Sequence, residues 1–532
     1  MPFHRYARDS VSPTVGWSRR WLDKALDRAP LWASVDLRDG NQALADPMDT
    51  HRKRRMFDLL TATGFKDIEI GYPAASAHDF DFVRELIVKD AIPDDVTVSV
   101  FTPARAELIE RTFEAIRGAD RAVVHLCHAT ACLWREVVFG LTADEVVRMA
   151  VDGAERMVRL AEREPGTDIR FEYSPETFNL TEPELALEIA GRVAEVVDAT
   201  TERPLILNLP TTVETHGPQV FADQVEWMHR NLDRREAIIL SVHPHNDRGT
   251  AVASAELALL AGADRVEGTL FGNGERTGNV DLVTLALNLF SSGVDPELEL
   301  GDIDAVRAVV EECNRLPVHP RHPYAGDLVY TAFSGTHQDA IAKGLAALDA
   351  RAAQEGRAVE EMPWQVPYLP IDPKDVGRDY EAIIRVNGQS GKGGIAYVLK
   401  AGWGVDLPVE LRRDFAAVVQ ATTDALGREL EGAEIWRLLL ETYGLDDAPA
   451  LPGGADADEV LAQLAARHGV AFTPPRPTGD AARAGARATC FIALDFEGRT
   501  VWGLGQAATA ADAAHRSARS ALRRAGLHEG ER

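Results

Sequence analysis

The chain has 532 residues, of which 45% are hydrophobic and 26% charged, and its formal net charge at pH 7 is −26. This composition is typical of a folded protein, and the length calls for about two to four domains. Nucleic acids and anionic membranes attract positively charged faces, so the acidic balance argues against both as partners.

The chain begins with Met1–Tyr6, which lacks the apolar core of a signal peptide. No apolar run reaches the ~18 residues that a membrane span needs. The four cysteines are irregularly spaced and form no C-x-x-C pair, so neither a disulfide framework nor a zinc knuckle is indicated. We therefore expect a soluble cytoplasmic protein with reduced thiols.

Strand-like runs then alternate with segments of helical periodicity, such as Thr50–Thr63 and Thr250–Ala261. The runs are Leu31–Asp39, Asp67–Pro73, Thr97–Thr102, Arg121–Cys127, Asp168–Glu176, Pro204–Thr212, Ala237–His245 and Arg265–Gly272. Eight such repeats over about 250 residues predict a (β/α)8 TIM barrel. A doubly wound open sheet is the alternative, but it would usually carry a glycine-rich fingerprint where Asp39–Gln42 stands.

The barrel is expected to be followed by mostly helical subdomains and a small C-terminal ββα unit. The predicted segments are an N-terminal arm, the barrel, two subdomains, a helix with linkers, and the ββα unit, at 1–30, 31–305, 306–375, 376–445, 446–487 and 488–532. Residues 376–445 should hold a strand at Ala382–Val386, a glycine-rich loop and two helices, with linkers at Asp446–Gly454 and Pro474–Arg487. The hairpin turning at Glu497–Gly498 has too little core to stand alone, so it should pack on something else.

In β/α barrels the chemistry lies at the carboxyl ends of the strands. The seventh run ends in SVHPHNDRG, where His243 and His245 point to one face because side chains alternate along a strand. An isolated pair of this kind is as often two hydrogen-bonded histidines as a metal site. Asp39 and Asn279 add oxygens at the same rim, and the set suits a divalent cation with open positions. A structural metal is the alternative, although structural sites are normally closed.

Other polar side chains end the remaining strands. They are Arg38, His125, Ser174, Glu176 and Thr212. Surface loops are often polar without a function, but ionisable groups that converge on one rim are typical of a site.

Several segments together resemble the 2-isopropylmalate synthases, the enzymes that open leucine biosynthesis, in their longer form. They are Ser34–Leu44, Glu172–Glu176, Asn208–Glu214, Ser241–Ala251, Glu267–Val280, Asp327–Gly344, Trp364–Gly377 and Arg385–Ala396. The motifs HPHNDRG and GNGERTGN are specific for the condensing-enzyme superfamily, and WQVPYLPIDP narrows the likeness to this branch. The resemblance runs from about residue 3 to residue 445.

This resemblance implies a pyruvate carboxyltransferase-like barrel that condenses acetyl-CoA with 3-methyl-2-oxobutanoate and water, giving 2-isopropylmalate and CoA. It implies that Mg²⁺ or Zn²⁺ is held by Asp39, His243, His245 and Asn279 and chelates the keto acid, with K⁺ as an activator. Arg38 would stabilise the alkoxide that develops on the ketone oxygen.

The resemblance also assigns the substrate-binding residues and the base. Thr212 should bind the keto-acid carboxylate, and the other pocket residues are His125, Ser174 and Glu176. His337 should remove the thioester methyl proton together with Glu275 and Tyr368. Two of these three lie beyond the barrel, so a homodimer with exchanged domains is implied. A structural histidine at a helix N-terminus is the alternative for His337.

The sequence departs from the family in two places and leaves one loop open. Cys127–Thr130 stands where the family commonly has a Tyr-Asn-Ser-Thr-like run, which either is silent repacking or reshapes the keto-acid pocket. Only the second ββα half of the leucine-binding regulatory domain is evident, at Cys490–Ala525, so we expect weak or absent leucine inhibition. Asn387–Gly394 lacks the Ser or Thr of a phosphate-binding loop, and we interpret it as a tight turn, with contact to CoA as the alternative.

Three other functions remain open at this point. A sibling synthase would use another 2-oxo acid, as homocitrate and citramalate synthases do. A lyase on the same barrel would cleave a carbon–carbon bond with the same metal. A ligand-binding protein with a relic site is the third, and the intact ligand set argues against it.

Overall fold

The computed structural model describes residues 18–332, 334–378, 392–428, 430–444, 457–478 and 488–527. The predicted strand Ala382–Val386, most of the loop Asn387–Gly394, the linker Asp446–Gly454 and part of the linker Pro474–Arg487 lie outside these ranges. The chain divides into two compact units. The first unit is Met1–Val329 with Asp375–Arg378, and the second is Tyr330–Lys374 with Asp379–Arg532.

The first unit contains a closed barrel of eight parallel strands in chain order, which confirms the predicted TIM barrel. The first strand pairs with both the second and the eighth and so closes the cylinder. The strands are β1 Leu31–Ser34, β2 Asp67–Gly71, β3 Thr97–Pro103, β4 Arg121–Ala129, β5 Asp168–Glu176, β6 Leu205–Thr211, β7 Ile238–Pro244 and β8 Arg265–Gly268.

Two strands, β1 and β8, end five and four residues earlier than predicted, and the same contact explains both differences. β1 ends at Ser34 and continues as a π-helical turn, Asp36–Gly40, while β8 ends at Gly268 and continues as a 3-10 turn, Leu270–Gly272. The Asp36 carboxylate accepts the Leu270 N–H at 3.2 Å and the Ser34 hydroxyl at 2.8 Å. A short acidic side chain that hydrogen-bonds the backbone around it competes with the strand ladder. The strand pairing of β1 with β8 therefore stops here, and both segments turn.

Helices surround the barrel. They are α1 Thr50–Thr63, α2 Ala77–Val88, α3 Ala106–Ile116, α4 Ala143–Ala161, α5 Pro183–Val196, α6 Pro218–Asn231, α7 Ala251–Ala261, α8 Leu282–Ser291 and α9 Ile303–Asn314. α1 has the predicted bounds because Asp49 caps its N-terminus and Gly64, at φ 108°, ends it in the left-handed conformation. No helix in the described part of the chain is long and apolar enough to cross a membrane.

The barrel interior is polar, and this property positions the site. Along β5, Phe171 and Tyr173 face the surrounding helices, whereas Glu172 and Ser174 face inward and are 1% and 2% exposed. Glu172 lies 3.5 Å from Arg265 of β8, across the barrel. Inward-facing side chains from strands far apart in sequence therefore meet in the middle.

The second unit contains helices and a small antiparallel sheet. They are α10 Gly335–Glu355, α11 Lys392–Trp403, α12 Val409–Leu426, α13 Gly432–Tyr443, α14 Ala457–His468, β9 Arg476–Thr478, β10 Ala488–Phe496, β11 Arg499–Ala507 and α15 Ala510–Arg524. The prediction of two helices in 376–445 was wrong, since the described residues of this range already contain three. The apolar run from residue 392 is already helical, and a short break separates it from α12.

The predicted C-terminal hairpin and helix are confirmed. β10 and β11 pair in register up to Phe496 and Arg499, so the turn falls at Glu497–Gly498. Phe491 and Trp502 pack in one core cluster with residues of α11, α12 and α13, so the hairpin does pack on other elements, as expected. α15 covers the other face, and it approaches so closely at Gly503 that an added Cβ would lie 2.1 Å from a helix carbonyl oxygen.

Candidate active site

Three predicted ligands meet at the carboxyl end of the barrel. Asp39, His243 and His245 each offer one ligand atom, and these atoms lie within 4.8 Å of one another. The Asp39 Oδ2 atom is 3.5 Å from His243 Nε2 and 3.8 Å from His245 Nε2. All three residues are buried. The turn after β1 and the end of β7 therefore bring together residues that are more than two hundred positions apart in the chain.

The fourth predicted ligand lies beside them. The Asn279 Oδ1 atom is 2.9 Å from His243 Nε2, and its Nδ2 group donates to the Asn273 carbonyl at 3.0 Å. That second bond orients the amide, because it turns the NH₂ group away from His243 and leaves the oxygen facing it. A β-bridge between His245 and Asn279 holds the two segments in place.

These residues fit a divalent cation. The Asp39 Oδ2 atom is buried and has no hydrogen-bond partner among the described residues, which is costly for a carboxylate oxygen unless a cation binds there. Two imidazole nitrogens with carboxylate and amide oxygens form a ligand set that suits Zn²⁺ or Mg²⁺.

The electrostatics favour the ligand forms of two of these groups. Burial raises the pKa of Asp39, but Arg38 and both imidazoles outweigh it and hold this pKa well below its usual range. Burial and the neighbouring His243 lower the pKa of His245 to about 4, so this imidazole is neutral at pH 7. Burial also lowers the pKa of His243, but Asp39 and Glu267 raise it to about 10. The two carboxylates therefore favour the protonated form of His243.

Arg38 lies next to the metal ligands. Its Nη1 atom donates to Asp39 at 3.0 Å, its Nε atom donates to Glu69, and its guanidinium stacks 4.6 Å from the Phe101 ring centroid. Burial lowers the pKa of Arg38, but the charges of Glu69 and Asp39 outweigh this effect and raise the pKa above its ordinary value. The side chain therefore remains charged. A fixed positive charge beside the candidate metal is suited to stabilise a developing oxyanion.

Two of the predicted substrate-binding residues form a buried pair. His125 bonds Glu69 through Nδ1 and Ser174 through Nε2, both at 2.7 Å. Glu176 lies at the end of the same strand as Ser174, and burial raises the pKa of its carboxyl group. Thr212 follows β6, and its hydroxyl oxygen accepts the Thr177 backbone N–H at 2.9 Å.

These residues line a cavity of about 360 Å³, which is a suitable size for a small substrate. Its wall contains nine of the ten predicted side chains of the first unit, all but Asn279: Arg38, Asp39, His125, Ser174, Glu176, Thr212, His243, His245 and Glu275. Tyr72, Phe101 and Cys127 form its less polar part. A larger cavity of about 840 Å³ lies under Lys24–Leu31, but none of the predicted site residues lines it. We assign the function to the smaller cavity because the metal-binding atoms converge there.

The predicted base residues belong to two different units. Glu275 lines the cavity in the first unit. His337 and Tyr368 lie in the second unit, where their rings stack with centroids 3.9 Å apart. His337 is in the first turn of α10, the position that the structural alternative also predicts. The joint action of these three residues stays a prediction.

Sequence reasoning missed several residues that the site uses. Glu69, Asn208 and Glu267 are inward-facing strand residues, all at most 3% exposed, that contact the predicted residues from below. Two of them, Asn208 and Glu267, open segments that carried the family resemblance. A polar residue at an inward position of a predicted barrel strand was the available signal.

Comparison with known proteins agrees with this architecture. The HMGL-like family model matches residues 29–310, which cover the barrel and its rim, and this places the chain in that class of barrel proteins. A second model, alpha-isopropylmalate synthase, post-catalytic domain-like, matches residues 327–400.

Curated relatives narrow the class further. The 2-isopropylmalate synthase of Nocardia farcinica is 57% identical over 490 residues, covering 88% of this chain and 83% of the relative. That of Mycobacterium ulcerans is 49% identical over 567 residues, covering 99% of this chain and 100% of the relative. The chain belongs to the 2-isopropylmalate synthase family, which confirms the resemblance inferred from the motifs.

Proposed function

We propose that the chain condenses acetyl-CoA with 3-methyl-2-oxobutanoate and water to form 2-isopropylmalate and CoA, the first committed step of leucine biosynthesis, in the cytoplasm. Family membership supports the reaction. The single structural observation behind the mechanism is the convergence of Asp39, His243 and His245 within 4.8 Å. A sibling synthase for another 2-oxo acid, or a lyase, is not favoured by any specific observation.

The metal centre is the first part of this proposal. Asp39, His243, His245 and Asn279 would hold Mg²⁺ or Zn²⁺. The cation would supply Lewis acidity at the ketone of the bound 2-oxo acid. Arg38 lies beside Asp39 and would neutralise the negative charge that forms on the ketone oxygen when its carbon is attacked. K⁺ as an activator belongs to the same proposal.

The cavity walls suit a branched 2-oxo acid. The Thr212 hydroxyl would donate a hydrogen bond to the substrate carboxylate, since its oxygen already accepts one from the Thr177 N–H. Tyr72, Phe101 and Cys127 offer apolar surface for the isopropyl group. His125 and Ser174 bond each other and would shape the remaining wall, with Glu176 at its edge.

Carbon–carbon bond formation needs a base at the thioester methyl group. His337 would accept this proton, with Glu275 and Tyr368 beside it, and the resulting carbanion would attack the ketone carbon. Water would then cleave the thioester, releasing CoA and the dicarboxylate product. His337 and Tyr368 already stack on each other, which supports their joint action. Because Glu275 belongs to the other unit, we propose a homodimer with exchanged domains.

The test is acetyl-CoA turnover against a panel of 2-oxo acids, with thiol release as the readout, before and after EDTA treatment. We expect the highest kcat/KM with 3-methyl-2-oxobutanoate and loss of turnover in EDTA. A higher kcat/KM with pyruvate or 2-oxoglutarate would mean that the enzyme is a sibling synthase with that 2-oxo acid as its substrate. Carbon–carbon cleavage without thiol release would point to a lyase.

A further inference from the structure

A buried carboxylate lies behind His243, on the side opposite the ligand atoms. Glu267 belongs to β8 and is 2% exposed. Its Oε2 atom lies 2.9 Å from His243 Nδ1. The other ring nitrogen of His243, Nε2, faces Asp39 and Asn279. Glu267 therefore touches a candidate metal ligand without belonging to the cavity wall.

Three donors converge on this carboxylate. Besides His243, the Asn208 Nδ2 group donates to Oε2 at 3.0 Å, and the Arg265 Nη1 group donates to Oε1. A carboxylate that accepts from three donors is held in one rotamer. An acceptor at Nδ1 favours the tautomer that carries its proton on that nitrogen, so the Nε2 lone pair is available to a cation.

The two supporting residues are themselves fixed by the barrel interior. Arg265 donates to Asp67 at 3.1 Å and to the Ser241 hydroxyl at 3.0 Å. Asn208 donates its second amide hydrogen to Ser174 Oγ, also at 3.0 Å. Arg265 and Asn208 are 2% and 1% exposed, so water does not compete for these bonds. Glu267 cannot turn away from His243 without breaking this network.

A second carboxylate in the same layer provides a comparison. Glu172 is 1% exposed and also faces Arg265, but at 3.5 Å, and it contacts none of the four candidate metal ligands. Burial and the Glu267 charge raise the pKa of Glu172 well above its usual range. Replacing it with Gln keeps the shape of the side chain and a donor toward the neighbouring Glu267, and it leaves the contact between Glu267 and His243 in place.

We propose that Glu267 is a positioning residue for the metal centre, which fixes the ring orientation and tautomer of His243 and thereby sets the affinity for the cation. Arg265 and Asn208 hold Glu267 in the required rotamer. This inference rests on the divalent cation of the proposed function and adds a residue outside the four ligands. Loss of such an outer contact typically weakens metal binding by about 10–100-fold.

The experiment measures Mn²⁺ binding to the purified full chain by electron paramagnetic resonance and by calorimetry, without substrates. Three proteins are compared: the unchanged chain, Glu267→Gln and the matched control Glu172→Gln. We expect the Kd for Mn²⁺ to rise by about 10–100-fold in Glu267→Gln and to stay within about two-fold in Glu172→Gln. Raising Mn²⁺ should restore most of kcat in Glu267→Gln, because only cation affinity has changed.

The outcomes separate this inference from the metal centre itself. If the unchanged chain binds no Mn²⁺, the metal centre and this inference both fail. If the unchanged chain and Glu267→Gln bind Mn²⁺ equally tightly, only the positioning role fails. An equal loss in Glu172→Gln would also overturn it, since the effect would then be general to the interior. If Glu267→Gln does not fold, Glu267→Asp keeps the charge for Arg265 but retracts it from His243, and the same weakening is expected.

Discussion

The hydroxyl oxygen of Thr212 accepts the backbone N–H of Thr177 at 2.9 Å. Thr177 is held at φ 61°, an uncommon conformation for a β-branched residue, and this directs its N–H toward Thr212. Because the lone pair toward Thr177 is used, the Thr212 proton is directed elsewhere and is available to a ligand in the cavity. The strained backbone at the end of β5 thus orients a donor that follows β6.

Replacing Thr212 with Val should therefore weaken keto-acid binding, because the variant keeps the shape but loses the donor. A hydrogen bond to a charged group contributes about 1.5–3 kcal/mol, so KM for 3-methyl-2-oxobutanoate should rise by roughly 10-fold or more. Steady-state kinetics at saturating acetyl-CoA measures this. Thr212→Ser keeps the hydroxyl and should recover most of the affinity. An unchanged KM in the Val variant would exclude Thr212 from carboxylate binding.

In the segment Cys127–Thr130, where the sequence departs from the family, Cys127 and His128 face opposite sides of β4. Cys127 lines the cavity, together with Tyr72 and Phe101. His128 faces the opposite side, where its Nε2 atom bonds the Tyr173 hydroxyl at 3.1 Å. Only the cysteine of this pair can therefore alter the shape of the keto-acid pocket.

Enlarging this side chain should narrow the pocket for branched substrates. We expect Cys127→Phe to lower kcat/KM for 3-methyl-2-oxobutanoate by at least roughly 10-fold, and to lower that for the smaller pyruvate much less, since each misfitted methylene costs about 1–3 kcal/mol. The ratio of the two kcat/KM values is the measurement. The control His128→Gln should leave the ratio unchanged. Equal losses for both substrates in Cys127→Phe would mean that Cys127 does not lie near the alkyl group.

The Asp39 Oδ2 atom has no hydrogen-bond partner in the part of the chain that the structure describes, and this leads to a prediction about stability. A cation that binds only the folded chain raises its unfolding free energy by about 2.7 kcal/mol when present at about one hundred times its Kd. Thermal unfolding of the first unit should therefore move to higher temperature in Mg²⁺ or Mn²⁺. Asp39→Ala should abolish the shift, whereas Asp46→Ala, a change of an exposed carboxylate, should retain it. A shift that persists in Asp39→Ala would place the cation elsewhere.

The sequence predicted the barrel because its strand and helix periods are local signals. β5 matches the prediction at both ends, and the histidine pair of β7 was placed on one face by strand alternation. Alternation indicates which side of a strand a residue faces, but not which residue it meets across a closed cylinder. The contacts of Glu69 with His125 and of Glu267 with His243 were therefore not predicted. The turn Asp36–Gly40 was also missed, because it depends on the bond from Asp36 to a segment more than two hundred residues away.

His322 provides a prediction about pH. Its Nε2 atom lies 2.8 Å from Asp281, and its Nδ1 atom lies 2.9 Å from the Pro323 carbonyl, so both ring nitrogens have acceptors. Asp281 in turn caps α8 by accepting the Val283 N–H at 3.0 Å. Burial lowers the pKa of His322, but Asp281 outweighs it and raises this pKa above its ordinary value. The His322 imidazole thus ties the segment after α9 to the start of α8, and Asp281 strengthens this contact when the imidazole is protonated.

The sign of the pH effect follows from this direction. A histidine whose pKa is higher in the folded state than in the unfolded chain contributes stability that is complete below pH about 6.5 and is lost as the pH rises through the folded pKa. The unfolding free energy of the full chain, measured with denaturant from pH 5.5 to 9, should therefore decline above neutrality. This decline should be smaller in His322→Gln. The control His319→Gln alters an exposed histidine of the same segment and should keep the decline. If the unfolding free energies of His322→Gln and of the unchanged chain decline equally, the charge of the imidazolium does not stabilise this contact. Neutral His322 must then satisfy Asp281 by its N–H alone.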